Sequence, residues 1–120
     1  MMDALSVFLK ITRALSEPNR VKILKLLQQR PMFVSELQHA LGIAQPTVSK
    51  HLKVLEEAGL IAFHKHGTWV RYHLADGEIC PCAASILGNL KHWFEKDPQI
   101  VMLYDALPTF RELERSEKRS

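Results

Sequence analysis

The chain has 120 residues and a formal net charge of +3, enough for one domain around a modest core. No apolar run approaches the roughly 20 residues that span a bilayer, and the start lacks the basic, apolar and small-residue segments of a secretion signal. The expectation is a soluble, cytoplasmic protein whose two cysteines, Cys80 and Cys82, are reduced thiols rather than a structural staple.

Residues 1–15 predict a first helix, with Leu5, Phe8, Leu9, Thr12 and Leu15 on one stripe and Asp3 placed to favour the positive end. Ser16-Glu17-Pro18-Asn19 breaks and restarts the chain, with Ser16 able to cap and Pro18 tolerated in a first turn. A second helix over 17–29 carries a broad apolar face of Val21, Ile23, Leu24, Leu26 and Leu27, as suits a central helix. Val34 to Leu41 is a short third helix, stopped by Gly42.

Gln45 to Leu60 follows after a tight turn. Val48, Leu52 and Leu55 form its inward stripe. Its other face carries Gln45, Thr47, Ser49, Lys50 and Lys53, with His51 at the flank. Short hydrogen-bonding side chains followed by cations suit base edges and the phosphates beside them. Taken alone, this is equally an ordinary surface helix. A short helix, a glycine-containing turn and a second helix with a polar face make a helix-turn-helix. Either Ala44 or Gln45 is the N-cap.

Residues 60–66 and 69–74 read as strands joined at Gly67-Thr68, a hairpin that forms the wing of a winged helix. Lys65, His66 and Arg71 fall at or near its tip. Between Gln45 and His73 lie Lys50, Lys53, Lys65 and Arg71 against Glu56 and Glu57, together with His51, His64, His66 and His73. That local basic balance suits a polyanion. His64 and His66 share a strand face and could chelate, or simply face phosphate or solvent.

Residues 81–94 give the most regular stripe: Ala83, Ile86, Leu87, Leu90, Trp93 and Phe94. Asp97-Pro98 starts a further helix to about Leu107, which Pro108 ends. The fold expected is mainly α (α+β): a winged helix-turn-helix with a two-stranded β-hairpin wing. Its N- and C-terminal helices carry apolar surface beyond what such a core needs, and so form a dimer interface. Two reading helices one turn apart then match a palindromic operator. Residues 1–108 make the DNA-binding and dimerisation domain, and 109–120 a charged C-terminal tail. No nucleophile–base pair, phosphate loop or paired carboxylates stand at catalytic spacing, so no enzyme is expected.

At this point the chain resembles the ArsR/SmtB family of winged-helix repressors. ALSEPNRVKILKLL (14–27), VSELQHALGIAQPTVSKHLKVLEEAGLI (34–61) and GTWVRYHL (67–74) carry the resemblance. It implies a homodimeric repressor on double-stranded operator DNA, released by a metal ion, metalloid or other inducer, or by thiol oxidation. The DNA face it implies is Gln45, Thr47, Ser49, Lys50, His51 and Lys53, plus Lys65, His66 and Arg71 of the wing. His51 either contacts a phosphate or packs at the helix edge.

The family's arsenic and cadmium site, a Cys-Val-Cys at the third helix, falls on Phe33 and Ser35, which are not thiolate ligands. Of its zinc site on the last long helix, only His92-x-x-Glu95 is present; the other half falls on Ile79 and Pro81. Cys80-Pro81-Cys82 flanks those positions at a helix start, where free N–H groups and the dipole favour thiolate. Two thiolates there can chelate arsenite, antimonite, cadmium or zinc. His92 and Glu95 of a second subunit could complete a zinc site. Alternatively the pair senses oxidant, or binds nothing and the protein is constitutive. No required cofactor is expected, only a possible inducer ion.

Overall fold

A computed structural model of the chain describes residues 3–107; the charged tail expected at 109–120 lies outside the described residues. Along the chain run α1 (Ala4–Ala14), α2 (Pro18–Gln29), β1 (Met32–Phe33), α3 (Val34–Leu41), α4 (Gln45–Glu57), β2 (Ile61–His66), β3 (Trp69–Leu74), α5 (Pro81–Leu90) and α6 (Pro98–Asp105). Among these, no helix is long and apolar enough to cross a membrane.

Helix starts follow local chemistry. Asp3 caps α1 by accepting from Ser6 N at 2.7 Å. Glu17, not Ser16, caps α2, accepting from Arg20 N at 3.0 Å. Ser16 instead donates back to Thr12 O. Ala44 is the N-cap of α4 and offers no side-chain acceptor. Gly42 closes α3 at φ 68°, the left-handed conformation that glycine adopts without penalty.

The core gathers Ile11 and Ala14 of α1, four apolar residues of α2 (Ile23, Leu24, Leu26 and Leu27), Leu37 of α3, and Val48, Leu52 and Leu55 of α4. Leu60, Ile61, Ala83, Leu87, Leu90, Ile100 and Leu103 close it. In α1 the predicted stripe is largely outward: Leu5, Phe8 and Leu9 are exposed, while Ile11 and Ala14 turn in.

The wing is not a lone hairpin. β1 pairs antiparallel with β3, Met32 opposite Tyr72 and Phe33 opposite Arg71, giving a three-stranded sheet of order β1-β3-β2. β2 and β3 pair from Ile61–Leu74 to His66–Trp69. The turn at Gly67 has φ 65°. Two residues between Pro31 and a helix carry no alternation to read, so β1 was invisible in the sequence.

α5 ends at Leu90, four residues short of the expected Phe94. The Leu90 carbonyl accepts from the ammonium of Lys25, a fully buried residue of α2, and from Trp93 N. The chain leaves the helix there in tight turns, and Phe94 is left-handed at φ 66°. Trp93 and Phe94, expected on the inward stripe, are about half exposed.

Candidate nucleic-acid interface

α4 divides as its periodicity requires. Val48, Leu52 and Leu55 are buried, while Gln45, Thr47, Lys50 and Lys53 are exposed and Ser49 is half-buried. Gln45 Nε2 donates to Ser49 Oγ at 2.9 Å, holding two of the polar side chains in register along the helix. Without a side-chain cap at Ala44, the positive end of the helix stays open to an anion.

His51 is set apart from this face. Its side chain is only 14% exposed and lies against the start of α2. Nδ1 stands 3.4 Å from Arg20 Nη1, and Nε2 stands 3.7 Å from Glu17 Oε2. The ring thus lies at the packed edge of α4, against Arg20 and Glu17.

In the wing, Lys65 and His66 are exposed at the tip. Arg71 is half-buried on β3, its guanidinium 4.7 Å above the Phe33 ring, a cation–π contact. Phe33 also meets Trp69 edge-on at 5.9 Å. Arg71 thereby links β3 to β1 across their shared register. On the same face His64 and His73 stack with centroids 4.9 Å apart, and His73 Nδ1 lies 2.9 Å from Leu74 O. His64 thus has a ring neighbour on the adjacent strand. On the opposite face Tyr72 packs on Phe63, and burial, with the charge of Glu56, raises its phenol above the usual range.

Cys80 and Cys82 are joined as a disulfide, which corrects the expectation of free thiols. The reason is local. Cys80 is the extended N-cap residue and Cys82 lies in the first turn, so their Cα atoms stand 5.4 Å apart, well within bonding range. Cys80 Sγ also accepts from Ala83 N at 3.2 Å, making a sulfur the side-chain cap of α5. In this bonded form neither sulfur is a thiolate ligand. The weaker ligand candidates, His92 and Glu95, both follow the end of α5. His92 lies beyond the end of α5, on an exposed turn. Glu95 is taken by Lys25 Nζ at 2.8 Å. Among the described residues no group of three or more His, Cys, Asp or Glu side chains is gathered as a metal site.

Three groups went unread in the sequence. Arg20 and Glu17 bracket His51. Lys25 sits inside the apolar run ILKLL, where a lone cation was itself the signal. Glu36 is buried, accepts from Phe33 N at 3.1 Å and pairs with Arg30, tying the end of α2 to the start of α3.

Comparison with known proteins sets this arrangement in context. Residues 17–62 match the family described as bacterial regulatory protein, arsR family. An uncharacterised HTH-type transcriptional regulator of Methanocaldococcus jannaschii is 38% identical over 71 residues, covering 58% of this chain and 80% of that protein. The HTH-type transcriptional repressor SmtB of Mycobacterium tuberculosis is 42% identical over 70 residues, 58% of this chain and 52% of that one, so the match spans about half of its length. A homodimeric winged helix-turn-helix DNA-binding domain from Mycobacterium bovis superposes with a TM-score of 0.61 at 26% identity, covering 78% of this chain and 87% of that one.

Proposed function

The chain belongs to the ArsR family of bacterial regulatory proteins and is a DNA-binding transcriptional regulator; from that premise we propose a homodimeric repressor that reads a palindromic operator with α4 and is released by chemistry at Cys80 and Cys82. The observation that carries the DNA reading is the outward face of α4. Gln45, Thr47, Ser49, Lys50 and Lys53 lie beside a wing whose tip presents Lys65 and His66. Thr47, Ser49 and Lys50 would meet base edges, and Lys53, Lys65 and His66 the phosphates. The dimer reading rests on the exposed Leu5, Phe8 and Leu9 of α1 and on the homodimeric state of the Mycobacterium bovis relative.

Two sulfurs at the first turn of α5 are close enough to chelate one soft ion once reduced. An arsenite, antimonite, cadmium or zinc ion bound there would stabilise a dimer whose reading helices are misplaced. Inducer and operator would then weaken each other by the same factor. A second reading is favoured by the disulfide itself: the pair is a dithiol switch, giving up two electrons and two protons to an oxidant such as peroxide and forming the Cys80–Cys82 bond.

The experiment uses a duplex selected from a random pool by the reduced chain. The complex is titrated with arsenite, antimonite, cadmium, zinc and peroxide, for the parent and for the Cys80→Ser/Cys82→Ser variant. Release of the parent alone by an ion supports the inducer reading, and release by peroxide alone supports the redox reading. Release of neither, or equal release of both proteins, leaves a constitutive regulator.

A further inference from the structure

The contacts of His51 point to a role that neither its sequence position nor the family assignment supplies. Arg20 sits in the first turn of α2, and its guanidinium reaches two other helices, α1 and α4. Nε donates to Ala14 O at 2.7 Å, and Nη2 donates at 3.2 Å to Arg13 O, which also accepts from Ser16 N, so both bonds fall at the end of α1. Nη1 reaches His51 Nδ1 on α4. Glu17 Oε2 accepts the Arg20 backbone N–H at 3.0 Å and faces the other ring nitrogen of the same histidine. The imidazole therefore bridges a guanidinium and a carboxylate. A lone pair on Nδ1 suits the donor Arg20, while Glu17 at 3.7 Å is a longer-range partner of Nε2.

We propose that Arg20 and Glu17 brace α4 through His51, and that His51 is a positioning residue for DNA readout rather than a phosphate contact. This rests on the reading of DNA by the outward face of α4. Val48, Leu52 and Leu55 are aliphatic and buried, and their packing is non-directional, so it supplies no polar contact that fixes the azimuth of the helix. A hydrogen-bonded ring at its edge does. Successive residues are about 100° apart around a helix of 3.6 residues per turn, so Lys50 and Thr47 hold fixed angles to His51 and turn when it turns. Base-edge hydrogen bonds need defined distances and directions; phosphate contacts by flexible lysines need much less. The brace therefore governs discrimination more than non-specific attraction. Arginine is required at position 20 because one planar fork donates in three directions, which a lysine ammonium on a flexible stem does not reproduce.

The test compares a duplex selected by the parent with a random-sequence duplex, over a salt series, with thermal unfolding confirming that each variant folds. His51→Leu and Arg20→Lys should each lose about tenfold in affinity for the selected duplex and little for the random one, with the salt slope unchanged. His51→Asn, which keeps an acceptor where Nδ1 stands, should recover most of the loss. The double variant Arg20→Lys/His51→Leu should lose no more than the worse single. Equal losses on both duplexes with a slope lower by about one would make His51 a phosphate contact and overturn the proposal. So would full affinity in His51→Leu, or additive losses in the double variant. Thr47→Ala and Lys50→Ala separate the two claims. If they leave selected-duplex affinity intact, the reading face itself is wrong; if they weaken it while Arg20→Lys and His51→Leu do not, only the brace fails.

Discussion

Lys25 Nζ and Glu95 Oε1 stand 2.8 Å apart, the lysine side chain fully buried and the glutamate 43% exposed. The same ammonium donates to Leu90 O at 2.8 Å, so one cation fastens the end of α5 and the turn after it to the middle of α2. Tyr104 of α6 adds a long contact from its hydroxyl to the Lys25 carbonyl.

The two ends of that pair should behave unequally. Lys25→Ala removes a buried side chain and leaves a cavity, and should cost about 3 kcal/mol in denaturant unfolding. Lys25→Met fills the same space without the charge and should cost much less. Glu95→Gln should cost about 1 kcal/mol or less, because an exposed partner is readily replaced by water. Equal losses in all three would contradict the geometry.

Lys50→Ala and Lys53→Ala should each weaken binding to a selected duplex. Each should also lower the slope of log affinity against log salt by up to about one where a phosphate contact is lost. Fluorescence anisotropy between low and moderate salt is sufficient to read this. Arg71→Ala should leave the slope unchanged, because its guanidinium lies over Phe33, and should instead lower the melting temperature.

The cysteines permit a chemical check. Unreduced protein should take up no iodoacetamide, and reduced protein should take up two equivalents, one for each of Cys80 and Cys82. Intact-mass measurement distinguishes the outcomes. Full labelling before reduction would show free thiols under the conditions of purification.

Gly77 should tolerate no side chain. Its φ is 82°, and an added Cβ would stand 2.6 Å from Ala84 Cα, a backbone atom of α5. Gly77→Ala should therefore lose about 2–3 kcal/mol of stability. Gly42→Ala has the same left-handed backbone but open space around it, and should cost less. Parallel urea titrations would rank the two.

Much of this architecture was legible because punctuation and period agreed. Gly42 stops α3 where its pattern stops, Pro46 falls in the first turn of α4, and Gly67 turns the hairpin. The polar face of α4 could be read for the same reason, since a buried stripe fixes what points away from it. The rest depended on contacts distant in sequence. Nothing near Leu90 announces that Lys25 will take its carbonyl, 65 residues away. Nor does any local pattern near His51, at the flank of the polar face, announce Arg20, 31 residues earlier. The bond between Cys80 and Cys82 is hidden for another reason: compartment argues for thiols, while two side chains at one helix start lie within bonding reach.

The short strand β1 has a mechanical consequence. Met32 and Phe33 lead directly into α3 and are hydrogen-bonded to β3, so the wing and the first helix of the helix-turn-helix share one backbone frame. A hairpin attached only at its base could swing; this one is clamped on the side nearest the reading unit. The distance from the tip at Lys65 and His66 to the face of α4 is therefore set within each subunit, like the gap of a caliper. A duplex meeting both would find them near that spacing, so movement of whole subunits is the expected route of adjustment.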